Sequence, residues 1–197
     1  MNKITLSGYI KDIEESHKIE DISFSKARII TKRENGLEDA ISIKFKSLSN
    51  KYKENDLISI TGNIRSYSHK VNEKNKVDIY VFTYFDVPEQ PLENEGVIDG
   101  RICKMNTLRT TRNGRHNVHF ILANNIYCQD NKSRLNSYIP CIAWGKLAKE
   151  ICKLSQSTKV KLKGQLHSRE HRKVLENGEI ELRVAHEFLV TEYKVIQ

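Results

Sequence analysis

The sequence predicts an all-β protein with short helices, laid out as two copies of one domain, and three observations carry that reading. The first is the run Tyr138-Ile139-Pro140-Cys141-Ile142-Ala143-Trp144-Gly145-Lys146-Leu147-Ala148, which reads as a strand passing straight into a helix. The second is an internal repeat. Ser7-Gly8-Tyr9-Ile10 matches Asp99-Gly100-Arg101-Ile102 (8 to 100, an offset of 92), Thr61-Gly62-Asn63-Ile64-Arg65-Ser66 matches Lys163-Gly164-Gln165-Leu166-His167-Ser168 (62 to 164, 102), and Phe85-Asp86-Val87 matches Phe188-Leu189-Val190 (85 to 188, 103). Order is kept while the offset grows, so the second copy carries insertions between strands. The third is Val87-Pro88-Glu89-Gln90-Pro91-Leu92-Glu93-Asn94-Glu95 between the copies, whose prolines and polar residues suit a short, stiff linker.

Alternate side chains of a strand share a face, so Tyr138, Pro140, Ile142 and Trp144 point one way and Ile139, Cys141 and Ala143 the other. The small apolar set suits a core. A tyrosine and the chain's single tryptophan are left opposite, where a π-surface is either covered by protein or offered to a flat ligand such as a base. Together with Val160-Lys161-Leu162-Lys163-Gly164-Gln165-Leu166-His167-Ser168-Arg169 and a closing strand from Glu181 to Val190, this run resembles the bacterial single-stranded DNA-binding protein (SSB) family over residues 95 to 196. The elements follow that family's order and approximate spacing. The resemblance implies an OB fold, a five-stranded Greek-key barrel. With the repeat it implies two tandem OB folds: a diverged N-terminal one over 1–87, a linker over 88–94, and an SSB-like C-terminal one over 95–197.

The net charge of +8 favours an anionic partner, and its distribution is more telling than its size. Residues 1–92 carry 15 basic and 14 acidic side chains, whereas 93–197 carry 18 and 11, so the second copy holds nearly all the excess. No apolar run approaches the roughly 20 residues of a membrane helix, and the N-terminus enters the first strand without a signal-peptide pattern, which points to a cytoplasmic protein. Cys103, Cys128, Cys141 and Cys152 form no CxxC pair and no zinc-finger spacing with histidine, so neither metal nor cofactor is expected. Cys103 and Cys141 fall at core-like strand positions and read as buried thiols.

The second copy offers two basic loops. Arg109-Thr110-Thr111-Arg112-Asn113-Gly114-Arg115 centres on an Asn-Gly turn, and Arg169-Glu170-His171-Arg172-Lys173 leads to a second turn at Asn177-Gly178. In OB folds the loops after strands 1 and 4 close over an oligonucleotide; the alternative is a pair of solvated hairpins. By the resemblance, Tyr138 and Trp144 fall where relatives stack bases, Tyr127 on an aromatic position after strand 2, and His171 on one in the loop after strand 4.

In the first copy, strand 3 is Ala40-Ile41-Ser42-Ile43-Lys44-Phe45-Lys46. Pairing Phe45 with Trp144 would send Lys44 into the core, and an unpaired buried lysine is costly. The other register puts Ile41, Ile43 and Phe45 inside, with Ser42, Lys44 and Lys46 on the binding face. Arg65, Tyr67, His69 and Lys70 surround that face. The preceding loop, Glu14-Glu15-Ser16-His17-Lys18-Ile19-Glu20-Asp21, is acidic and predicts weaker binding. The last strand leaves Tyr80, Phe82 and Tyr84 pointing outward, a stripe that predicts a protein interface between the two OB folds or between chains, with base stacking as the lesser option.

The resulting expectation is a non-catalytic binder of single-stranded DNA with little sequence preference, acting in replication, recombination or repair. RNA binding or a primosomal role uses the same platform, and a protein-interaction scaffold is a third alternative. No Gly-Lys-Ser/Thr phosphate loop, HExxH or nucleophile elbow supports an enzyme. Relatives assemble four OB folds, so the tandem layout implies a homodimer, with a monomer left open. Typical relatives recruit repair enzymes through an acidic tail; this chain stops at Tyr193-Lys194-Val195-Ile196-Gln197, so no such recruitment is expected and a specialised version, from a mobile element, a phage or a secondary paralogue, is favoured over the main cellular protein.

Overall fold

The computed structural model describes residues 1–47, 52–71, 74–86, 93–128, 133–174 and 180–196. Five strands come from the first half: β1 (Asn2–Ile19), β2 (Ile22–Lys32), β3 (Glu38–Lys46), β4 (Leu57–Val71) and β5 (Lys74–Asp86). The second half gives β6 (Asn94–Met105), a two-residue β7 (Arg109–Thr110), β8 (His116–Cys128), β9 (Ser133–Trp144), helix α1 (Gly145–Ile151), β10 (Lys159–Val174) and β11 (Ile180–Val195). The sheet runs β2-β3-β5-β4-β1-β6-β10-β11-β9-β8-β7, and the further pairings β1–β2 and β6–β8 close each set of long strands on itself. In both barrels a short parallel contact completes the ring, Ile43 beside Val81 and Cys141 beside Phe188. The two copies therefore share one topology, that of the OB fold.

Strand alternation sets the cores. Ile41, Ile43 and Phe45 are buried while Ser42 and Lys44 are half-buried and Lys46 is exposed, the register that keeps lysine out of the interior. Ile139, Cys141 and Ala143 are buried likewise, against Val118, Phe120, Leu122 and Phe188. Trp144 is still extended, and Gly145 adopts φ 62°, a left-handed turn that suits glycine, before α1 buries Ala148 and Ile151 on β8. On the first barrel Tyr52 packs edge-on against Phe45, ring centres 5.2 Å apart.

The repeat's second glycine has a structural cause. Gly62 and Gly164 each sit at a bulge, between Thr61 and Gly62 and between Lys163 and Gly164. A Cβ would lie 2.4 Å from the Phe82 carbonyl oxygen in one copy and 2.0 Å from that of Leu189 in the other. The bulged strand approaches its neighbour too closely for any side chain.

The barrels are joined by antiparallel pairing of β1 with β6, from Asn2 opposite Ile98 to Leu6 opposite Asn94. Glu93 and Asn94, at the end of the expected linker, are already bonded into this seam, Glu93 through its carbonyl to Ser7 N–H; 87–92 lie outside the described residues. The buried Asn2 amide crosses the seam, donating to Ile64 O and Asn124 Oδ1, each at 2.8 Å, and accepting from Ile64 N–H. A second contact lies between β3 and β10–β11. Arg33 holds the buried Asp39 carboxylate in a two-point pair at 2.7 and 2.5 Å, Ser168 N–H donates to the same carboxylate, and Ala40 N–H donates to Ser168 Oγ at 2.8 Å. Side chains of one barrel thus occupy polar groups on the edge of the other.

Two expectations change. Cys103 is exposed, because the buried set of β6 is Gly96, Ile98 and Ile102, and alternation puts the residue after Ile102 on the outer face. The two long "loops" are largely strand: β10 and β11 stay paired to Val174 opposite Ile180, and β1 and β2 to Ile19 opposite Ile22. Asn177-Gly178 lies outside the described residues.

Candidate nucleic-acid interface

On the second barrel the outer face of β9 presents Tyr138, 47% exposed, at one end and the half-buried Trp144 at the other. Asn117 is the cross-strand partner of Trp144, so Arg115, two residues earlier on β8's approach, falls on the same face. Its guanidinium carbon stands 5.1 Å from the indole centre. The loop that carries Arg115 is tied down by β7 and by a turn in which Thr111 N–H donates to Arg115 O and Gly114, at φ 73°, donates to Thr111 O. Arg109 and Arg112 are exposed on it.

The middle of this face is closed. Ile142 is only 4% exposed because His119 and Leu189 flank it, and the His119 and Glu187 side chains approach to 3.7 Å across β9. Only the ends of the strand offer rings. Arg169 and Arg172 are exposed on β10. Tyr127 lies within β8 rather than after it, and His171 and Lys173 lie within β10, but their side chains fall outside the described residues.

The first barrel is more aromatic than its sequence suggests. Lys44 stands over the ring of Tyr80 at 4.5 Å and that of Tyr67 at 5.7 Å, and Tyr67 stacks on His69 with centres 5.5 Å apart. Burial lowers the Lys44 pKa, Lys26 adding to the shift and Asp78 opposing it. Phe82 meets Phe24 at 6.1 Å, and Phe24 stacks on His17 at 4.8 Å. His17, in the segment that reads as an acidic loop, and Phe24 are cross-strand partners in the β1–β2 hairpin and face the same way. Arg65 is half-buried, and Lys46 and Lys70 are exposed. The Tyr84 side chain lies outside the described residues.

Among the described residues no group of three or more His, Cys, Asp or Glu side chains is arranged to hold a metal, and no helix is long and apolar enough to cross a membrane.

Solved structures match the whole chain in fold. Wild-type single-stranded DNA binding protein from Thermus aquaticus superposes with TM-score 0.76 at 15% identity, covering 100% of this chain and 93% of that one. A deletion mutant of the same protein gives 0.75 at 14% identity, covering 100% and 95%. The protein PriB from Ralstonia solanacearum matches 53% of this chain and 99% of its own at TM-score 0.41 and 13% identity. No curated protein matches by sequence. The model of the single-strand binding protein family matches residues 93–190, the segment that forms the seam strand β6, the Trp144 face and both basic arms. The second barrel belongs to the single-strand binding protein family.

Proposed function

We propose that the protein is a non-catalytic binder of single-stranded DNA, largely indifferent to sequence, serving replication, recombination or repair in the cytoplasm. The observation that carries this reading is the half-buried Trp144 indole beside Arg115, at the foot of an arginine-bearing loop on a barrel of the matching family. Trp144 and Tyr138 stack bases, with Tyr127 and His171 as further ring positions. Arg109, Arg112, Arg115, Arg169, Arg172 and Lys173 neutralise phosphates. On the first barrel Tyr67 and His69 offer stacked rings, and Lys44, Lys46, Arg65 and Lys70 the charge.

Tyr80, Phe82 and Tyr84 form a contact surface in this reading. Tyr80 lines a groove that Pro140 and Val184 of the second barrel also line, which favours a junction between OB folds over a contact between chains. Two chains pairing as a homodimer bring four barrels together, and sedimentation of the free protein tests that stoichiometry.

Because Trp144 is the only tryptophan, its fluorescence reports the second barrel's face alone. Titration with oligo-dT is expected to quench it strongly. Tight binding with unchanged fluorescence places the site elsewhere, and no binding at low salt removes the reading.

A further inference from the structure

The middle of the second barrel's face carries groups that the ring and arginine contacts leave unused. Trp144 follows Tyr138 by six residues on β9, about 20 Å at strand rise and several times the roughly 3.4 Å between stacked bases. A strand held at both rings therefore lays at least one base over Pro140 and Ile142. Ile142 is 4% exposed and no aromatic side chain of β9 lies between the two rings, so a base there has nothing on β9 to stack on. Only its edge can be read.

Two polar side chains border that gap. His119 is the cross-strand partner of Ile142 on β8, and the parallel pairing of Phe188 with Cys141 sets Glu187 beside Pro140 on β11. Their side chains, 35% and 23% exposed, reach towards each other across β9, with Nδ1 and Oε2 3.7 Å apart, too far for a hydrogen bond. Neighbouring basic groups are engaged elsewhere. The Arg33 guanidinium, its pKa raised by the bond to Asp39 with Glu187 adding to the shift, donates to Asp39 and to Ser168 O. His167, opposite Glu187 on β10, has its Nε2 3.2 Å from Gln165 Oε1. A carboxylate on a phosphate track weakens binding through its field unless it meets a donor. In single-stranded DNA the strong donors are on the base edges.

We propose that Glu187 and His119 read the edge of a base that carries an exocyclic amino group, cytosine or adenine, at the centre of the β9 face. The amino N–H donates to the Glu187 carboxylate, the pairing by which glutamate recognises cytosine. The ring nitrogen beside that amino group accepts from a His119 N–H, which an imidazole carries in either tautomer. Thymine and uracil present the reverse order, a carbonyl oxygen next to a ring N–H, so their carbonyl meets the carboxylate. The inference rests on the single-stranded DNA reading above. It adds a modest base preference that phosphate contacts do not produce.

Oligo-dC and oligo-dU test it, because these pyrimidines differ only on the edge being read. Pieces of about 30 nucleotides exceed the roughly 4–16 that one OB fold covers. At pH 8 the protein is expected to hold oligo-dC about fivefold more tightly, the lower end of what one base-edge contact supplies, with Trp144 quenched by both. Glu187→Gln keeps the shape, loses the charge and can turn its amide either way, so the ratio should fall close to one, chiefly through tighter oligo-dU binding. His119→Leu, which removes the ring N–H, should lower the ratio with Glu187 in place; circular dichroism checks the folding of both. Arg112→Ala should weaken both oligomers and leave the ratio alone. A ratio near one in the parent protein, with normal quenching, overturns the base reader and leaves the DNA reading standing. A preference that survives both Glu187→Gln and His119→Leu belongs to stacking and overturns it too. If neither oligomer binds, the DNA reading and the base reader fall together.

Discussion

The Arg115 guanidinium lies over the Trp144 indole, its carbon 5.1 Å from the ring centre. In the free protein the cation covers the surface a base would use, so a stacking base must either displace it or be sandwiched beneath it. Stacking one base is worth about 1–3 kcal/mol by alanine substitution. Trp144→Ala is therefore expected to weaken oligo-dT binding by about that amount without unfolding the barrel, since the ring is only half-buried on the outer face. Arg115→Ala is expected to alter Trp144 emission in the free protein, because the ring loses its cation. Emission that ignores Arg115→Ala removes the contact from solution.

Charge and stacking separate by salt. Each phosphate neutralised on a single strand contributes about −0.7 to the slope of log affinity against log salt. Arg112 is exposed on the loop after β6 and makes no ring contact among the described residues, so Arg112→Ala should flatten the slope by about that increment. Trp144→Ala should lower affinity at every salt concentration with little change of slope. Equal slopes for all three proteins would place the phosphate contacts away from this loop.

How much of this was legible in the sequence follows from which forces act locally. The β3 register was readable because one alternative buries Lys44, and the structure keeps that lysine half-exposed. The Trp144 face was readable from period-two alternation, and the tandem architecture from repeated glycines that mark where strands nearly touch. Cys103 was misread although alternation from the buried Ile98 and Ile102 places it outward; its apolar type was weighed above its parity in the strand. The meeting of His17 with Phe24 was not legible because it depends on the hairpin register, not on composition. The flanking of Ile142 by His119 and Leu189, and the seam from Asn2 to Leu6, join residues distant in sequence, and nothing local encodes them.

The contact between barrels should respond to acid in two stages. Burial drives the His186 imidazole below its ordinary value of 6.5, against the opposing pull of Ala40 O, Asp39 and Asp78. Its Nε2 stands 3.0 Å from Ala40 O and 3.3 Å from Ser42 N on the edge of β3. With the folded pKa below the unfolded one, the unfolded chain binds more protons near pH 6.5, so stability falls as pH drops from neutral through 6.5 towards the folded value. His167 is lowered in the same sense, chiefly by burial, with Arg33 adding to the shift and Asp39 opposing it. Asp39 gives the second stage. Burial raises its carboxyl, but Arg33, Ser168 N–H and His167 together hold it below 3.8, so its stabilisation is present above 3.8 and lost as pH falls through the lower folded value. Urea midpoints measured from pH 8 to 3 should show both steps, and His186→Gln should shrink the upper one. A profile flat from pH 8 to 5 would mean that His186 is not buried in the contact.

The shared bulge glycines make the repeat testable. At Gly164 a Cβ would stand 2.0 Å from the Leu189 carbonyl oxygen, a backbone atom that cannot rotate away, and 2.9 Å from the Phe188 ring. Gly164→Ala must therefore push β10 from β11 or shift Phe188, which is fully buried. Overpacking of this kind costs about 1–3 kcal/mol, and here backbone strain adds to it. Gly62→Ala, 2.4 Å from the Phe82 oxygen, should act alike on the first barrel. Gly114→Ala is the useful contrast. A Cβ there meets nothing within 4 Å, and only the left-handed φ of 73° is unfavourable, so its cost comes from backbone strain alone and should be smaller. Thermal denaturation ranks the three. Should Gly164→Ala melt with the parent protein, the close approach of β10 to β11 at this bulge is not present in solution.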